Sequence, residues 1–265
     1  MIMPTTKECI LEFENNWVTI WFNRPEKRNS LSKVLIKDIN QTLDFINNEQ
    51  SIRGAIFRGK GNVFCAGADL KWMQSIASEK NGADDLAMEM SMRFGEMFTK
   101  INHLSKITIS IVEGACMAGA VGIVSATDFL ITTSDAKYAL TETRIGLTPA
   151  QIAPYVLTKV GFKIGKKLML LGNVFDGDEA FAIGMADCVV KDKNNLESEV
   201  LKIIDNVKQC SPNAIAVTKK VLNSNYNINT TRAAKLFSEC MIHDEGREGF
   251  ASFFEKRKPF WNQKD

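Results

Sequence analysis

Two stretches of small residues and one acid carry the chemistry this sequence can offer. The first stretch runs Gly114-Ala115-Cys116-Met117-Ala118-Gly119-Ala120-Val121-Gly122, after the β-rich apolar run Ile107–Val112 and before residues fit for a short buried helix. The second is residues 64–70, FCAGADL. Small residues at a strand-to-helix turn let another backbone or a ligand come very close, and the first N–H groups of the helix have no partner within it. One such turn is equally at home as tight helix–sheet packing with no ligand. A second of the same kind favours a site. Two N–H donors converging on one oxygen make an oxyanion hole, which stabilises developing negative charge by about 3–4 kcal/mol per well-placed donor.

Such a hole needs a proton carrier. Glu142 lies just past a strand end, the usual place for a reacting residue in α/β proteins. A lone Glu in a loop is otherwise a solvated charge or a helix cap. Other chemistries are poorly supplied. The two histidines, His103 and His243, sit far from either turn. Cys65 and Cys116 lie in the turns but have no nearby histidine to activate them, so packing is the better reading. No G-x-S-x-G elbow and no metal-ligand spacing occurs. Gly54, Gly59 and Lys60 match the spacing of a phosphate loop, but Gly61 stands where the magnesium-binding hydroxyl belongs and residues 55–58 read as strand.

The elements that must hold these groups are legible in outline. Residues 9–13 and 17–22 read as a hairpin around Asn15-Asn16. Ser32 caps a helix with Leu35, Ile36, Ile39, Leu43 and Ile46 on one face. Residues 54–58 form a short strand, 70–76 a short helix, 80–85 a polar connection, and 86–104 a methionine-rich amphipathic helix that serves the core. Strands at 129–132 and 137–140 lead to Glu142. A helix is expected at 149–160, with Pro154 inside it as a kink or break. Further helices are expected at 162–171 and 176–183, with a strand at 186–190. Beyond residue 192 strands give way to helices at 194–209, 212–224 and 230–256. This divides the chain into a core, 1–192, and a helical region, 193–265.

The 265 residues, 45% hydrophobic and 24% charged, suit a globular protein, and a net charge of +2 calls for neither nucleic acid nor a charged membrane surface. Six scattered cysteines suggest buried thiols in a reducing compartment. No signal peptide or membrane-spanning run is seen, so the expected home is cytoplasmic.

The two turns in this order, with a Glu after the next strands, resemble the crotonase (enoyl-CoA hydratase/isomerase) family. The likeness covers essentially the whole chain: NRPEKRNSLS at 23–32, VFCAGADLKWM at 63–73, the central segment, TETRIGLTPAQIAPYV at 141–156 and DEGREGFASFFEKRKPFW at 244–261. Within the family the wording is most similar to bacterial methylglutaconyl-CoA hydratases of leucine breakdown. The resemblance implies an α/β fold, a crotonase-type spiral of ββα units with a helical C-terminal oligomerisation region that makes homotrimers or homohexamers. It implies an acyl-CoA thioester as partner, with no cofactor beyond the CoA carried by the substrate and no metal. Carried over by residue, the oxyanion donors are the amides of Ala68 and Gly119, and Glu142 moves protons. Ala66 and Leu70 line the CoA path, Lys27 and Arg28 meet its phosphates, and Phe253 and Lys256 touch CoA, in one arrangement that of a neighbouring subunit. Asp69 fixes its turn.

The sequence departs from the family's pattern at Gly122, where typical hydratases carry a second glutamate. Water addition is readily served by two carboxylates. With one, hydration of a 2-enoyl-CoA is the first expectation, a 1,3-proton shift the second and decarboxylation the third. A non-catalytic CoA-binding protein is the reading from another class. Gly122 is also expected to free volume beside the thioester, and Arg144 to pair with the carboxylate of an acyl chain such as 3-methylglutaconyl; a structural acid is its alternative partner.

Overall fold

The computed structural model describes residues 2–224 and 228–263. β1 (Cys9–Glu14) and β2 (Trp17–Phe22) pair antiparallel, and Asn15 and Asn16 both take the positive φ that such a tight turn demands. Crossover helices then build a parallel sheet. α1 (Lys33–Asn48), whose Ser32 hydroxyl accepts from the Leu35 amide at 3.0 Å, leads to β3 (Gly54–Gly59). The short α2 (Leu70–Ala77) and the long α3 (Ala83–His103) lead to β4 (Ile107–Val112). α3 begins inside the stretch expected as a connection, with Asp84 and Asp85 in its first turn, where acidic groups favour a helix start. β5 (Ala115–Met117) and α4 (Gly119–Ala126) follow, then β6 (Phe129–Thr133), β7 (Lys137–Ala139), α5 (Ala153–Leu171), β8 (Phe175–Asp176), α6 (Gly177–Ala182) and β9 (Cys188–Val190). One sheet has the order β1-β2-β3-β4-β6-β9, the other β5-β7-β8.

Strand alternation gives the large sheet two apolar faces. α1, α3 and α4 cover one. On the other, Trp17, Ile56, Ile109, Ile111 and Ile131 pack against Leu196, Val200, Ile204 and Val207 of α7 (Leu196–Gln209). The helix just past residue 192 thus belongs to the packed sheet, whereas α8 (Pro212–Leu222), α9 (Thr230–Ile242) and α10 (Asp244–Phe254) bury few side chains. Two expectations change, and one short strand is new. The helix at 230–256 is two, broken at His243, whose ring Nδ1 accepts from the Glu245 amide. α5 begins at Ala153 and not at Pro149, and Pro154 sits in its first turn, where proline costs nothing; the break falls at Gly161, between the helices expected at 149–160 and 162–171. β8 is two residues long, too short to show a pattern.

Candidate active site

The two small-residue corners meet. Cys65 and Cys116 form a parallel bridge in which the Cys65 amide donates to Ala115 O and the Met117 amide to Cys65 O, both at 3.0 Å. At the next residue the backbones touch: a Cβ added to Gly67 (φ +90°) would lie 2.8 Å from Met117 O. The first corner pairs with Leu31, whose amide donates to Gly67 O at 2.8 Å and whose carbonyl accepts from Asp69 at 3.1 Å. Alternate amides of an extended chain point opposite ways, so this pairing turns the Ala68 N–H outward. Among the described residues it has no acceptor. Ala118 donates to Ala139 O at 2.7 Å and adopts φ +49°, a conformation costing on the order of 1–3 kcal/mol for a non-glycine residue. That strained cap starts α4 so that Gly119 supplies its first, unspent amide.

Both corners line one cavity of about 400 Å³. Ala66, Ala68 and Leu70 contribute from the first corner, Ala118 and Gly119 from the second, and Glu142 from beyond β7. The remaining wall is mostly apolar: Met73 of α2, Met90, Phe94 and Phe98 of α3, and Ile145, Leu147 and Ile152 beyond Glu142. Trp72, Phe94 and Phe98 stack in series at 6.2 and 6.3 Å. In this wall Glu142 is the single ionisable side chain among the described residues. Its Oε2 is buried with no hydrogen-bond partner. Burial pushes the carboxyl above the ordinary carboxylate range, and its own backbone amide opposes this in part. The turn carrying it is fastened from behind: Thr143 Oγ1 donates to Met169 O at 3.2 Å, and Arg144 donates to Leu171 O at 3.2 Å and Asn173 Oδ1 at 3.0 Å.

Several expected site residues lie elsewhere. Arg144 binds the Leu171 carbonyl at the end of α5 and the Asn173 side chain, does not line the cavity, and has no acid paired with it among the described residues. Gly122 frees no space and does not line the cavity. A Cβ there would come within 2.2 Å of Ile152 Cγ2 and 2.9 Å of two Phe98 ring atoms, because those side chains already fill the volume. Lys27 and Arg28 are exposed in the loop before the first corner, where the Arg28 carbonyl accepts from Ala66 at 3.0 Å. Phe253 and Lys256 lie at the end of α10 and do not reach this chain's cavity; Phe253 borders a separate apolar groove with Phe237, Met241 and Phe250. Asp69 caps α2 and pairs with Arg24 at 3.1 Å, a fixing role. The thiols of Cys65 and Cys116 are fully buried, and burial pushes that of Cys65 up to about 12, which suits packing rather than nucleophilic work.

One polar couple escaped the sequence reading. Gln151 Nε2 donates to Ser91 Oγ at 3.0 Å across the cavity wall. Residues so far apart, on a helix and a loop, leave no spacing signal.

With this geometry in place, comparison with known proteins gives a consistent picture. The model of the family described as enoyl-CoA hydratase/isomerase matches residues 12–264. A solved enoyl-CoA hydratase/isomerase from Marinobacter aquaeolei superposes with a TM-score of 0.91 at 34% identity, covering 97% of this chain and 99% of the other. A crotonyl-CoA hydratase from Syntrophomonas wolfei is 29% identical over 95% of this chain and 96% of its own. The mitochondrial methylglutaconyl-CoA hydratase of Homo sapiens is 27% identical over 94% and 75%.

Proposed function

The chain belongs to the enoyl-CoA hydratase/isomerase family, and on that premise we propose that it adds water to the double bond of a 2-enoyl-CoA thioester. The observation that carries this is the meeting of two acceptor-free amides, Ala68 and Gly119, with the buried carboxyl of Glu142 at one cavity. The thioester oxygen accepts from both amides. Water adds at C3, its proton passes to Glu142, the double-bond electrons move to C2 and onto the oxygen, and Glu142 returns the proton to C2 as the enolate collapses. Glu142 must be ionised to accept that proton. Its raised pKa therefore places the acid limb of kcat/KM above the ordinary glutamate value, with activity falling as pH drops through it. The CoA would enter past Ala66 and Leu70, with Lys27 and Arg28 toward its phosphates. No cofactor beyond CoA is called on.

A specific observation favours a second reading. Ile152 and Phe98 fill the place of the second family glutamate, leaving one acid, and one acid suffices for a 1,3-proton shift. Following the enoyl-thioester absorbance on a panel of 2-enoyl-CoAs, with product mass, separates the readings. A product heavier by one water supports hydration, an unchanged mass with a moved double bond supports isomerisation, and tight binding without turnover supports a CoA-binding protein. A carboxylated chain such as 3-methylglutaconyl loses its strongest argument, because Arg144 is spent on α5. The exposed apolar side chains Phe237, Met241, Phe250 and Phe253 share one groove, the kind of exposed apolar surface that marks a contact site. We assign it to homotrimer contacts, through which Phe253 and Lys256 would approach a neighbour's CoA.

A further inference from the structure

The cavity wall is mostly methionine, phenylalanine, leucine and isoleucine; besides Glu142 its polar side chains are Thr141, Thr148 and one hydrogen-bonded pair, Gln151 and Ser91. Building on the 2-enoyl-CoA reading, we propose that this pair selects acyl chains bearing a neutral oxygen, a hydroxyl or a carbonyl, beyond the double bond.

The pair has hydrogen-bonding capacity left over. Nε2 spends one proton on Ser91, and its second proton has no acceptor among the described residues. Nor does the Ser91 hydroxyl proton, and Gln151 Oε1 receives no donor. Gln151 Oε1, which has no partner, is not fully buried, and both residues line the cavity. Turning the carboxamide over leaves the same balance, a spare donor and a spare acceptor. The position suits the far end of an acyl chain. Ser91 lies one turn along α3 from Phe94, which abuts Gly119, about 4.5 Å along the axis. Gln151 is the neighbour of Ile152, which covers Gly122.

Gly95 shows that the pair is seated rather than incidental. It lies inside α3, where glycine is a poor helix former. A Cβ there would come within 2.4 Å of Gln151 Oε1, so the missing side chain makes the room the carboxamide occupies. The neutrality of the ligand follows from charge. Among the described residues the cavity wall offers no cation to offset a carboxylate, and a terminal carboxylate would share low-dielectric space with Glu142.

The test compares chains of equal length ending in methyl, hydroxyl or carboxylate, over a ladder of lengths. Saturated acyl-CoAs are used for binding by calorimetry, and their 2-enoyl forms for kcat/KM. The hydroxylated chain is expected to bind at least about tenfold more tightly than the alkyl chain at one or more lengths. Gln151→Met and Ser91→Ala should bring that ratio close to one. Gly95→Ala should do the same by dislodging the carboxamide while leaving thermal stability equal or higher. A wild-type preference for the alkyl or the carboxylated chain at every length, or a hydroxyl preference that survives Gln151→Met, overturns the proposal. Selective binding without turnover of any 2-enoyl thioester would uphold the polar station and overturn the hydratase reading alone.

Discussion

The two corners that meet at the cavity free their amides by different means. The first relies on a glycine at φ +90° and on charge: Asp69 caps α2 and is held by Arg24, which also pairs with Glu8 at 3.0 Å. The second has alanine at positive φ and, among the described residues, no ion pair supporting it. Its strain is carried by the bond from Ala118 to Ala139 O and by α4, where residues 120–126 are all buried. One corner is pinned by a half-buried ion network, the other by close packing. The amide each presents depends on the contact between them at Gly67 and Met117, so a fault in either corner is felt by both.

Substitutions at each corner should therefore fail in different ways. The largest effect is expected at the contact itself. Gly67→Val meets Met117 O and a backbone conformation that valine rejects, and kcat on the best 2-enoyl thioester should fall about 10²–10³-fold, the usual cost of a lost oxyanion donor. Gly122→Glu tests the packed corner. Restoring the family's second acid should not raise activity, because the side chain collides with Ile152 and Phe98; denaturant unfolding should show a loss of about 1–3 kcal/mol. A rise in hydratase rate would mean that the plug yields. Asp69→Ala tests the charged corner and should be mildest: about 1 kcal/mol for the lost cap, a loss that added salt shrinks, with kcat lowered less than tenfold. Equal salt sensitivity for Gly122→Glu and Asp69→Ala would erase the distinction between the corners.

What the sequence reveals here follows from the range of the forces involved. The hairpin at Asn15-Asn16, the Ser32 cap and the apolar face of α1 are local, and their residue types alone give them away. Both corners stand out because close approach needs small residues, and Glu142 because it is an acid just past a strand end. Resemblance adds which amides are the expected donors. The fates of Gly122 and Arg144 are set by residues far along the chain. An absent Cβ signals space only if nothing fills it, and here Ile152 and Phe98 do. An arginine two residues past an acid points toward substrate only if nothing nearer binds it, and here the carbonyl end of α5 does. Gly161, not Pro154, breaks α5 because proline is harmless in a first turn.

The central claim is that Glu142 alone moves the proton while Ala68 and Gly119 hold the thioester oxygen. Its most direct test is single-turnover hydration of a 2-enoyl-CoA by the wild type and by Glu142→Gln, with thioester affinity measured in parallel. The expected result is a rate lower by about 10²–10⁴-fold at nearly unchanged affinity. A variant that keeps most of its rate would contradict the assignment and require another proton carrier.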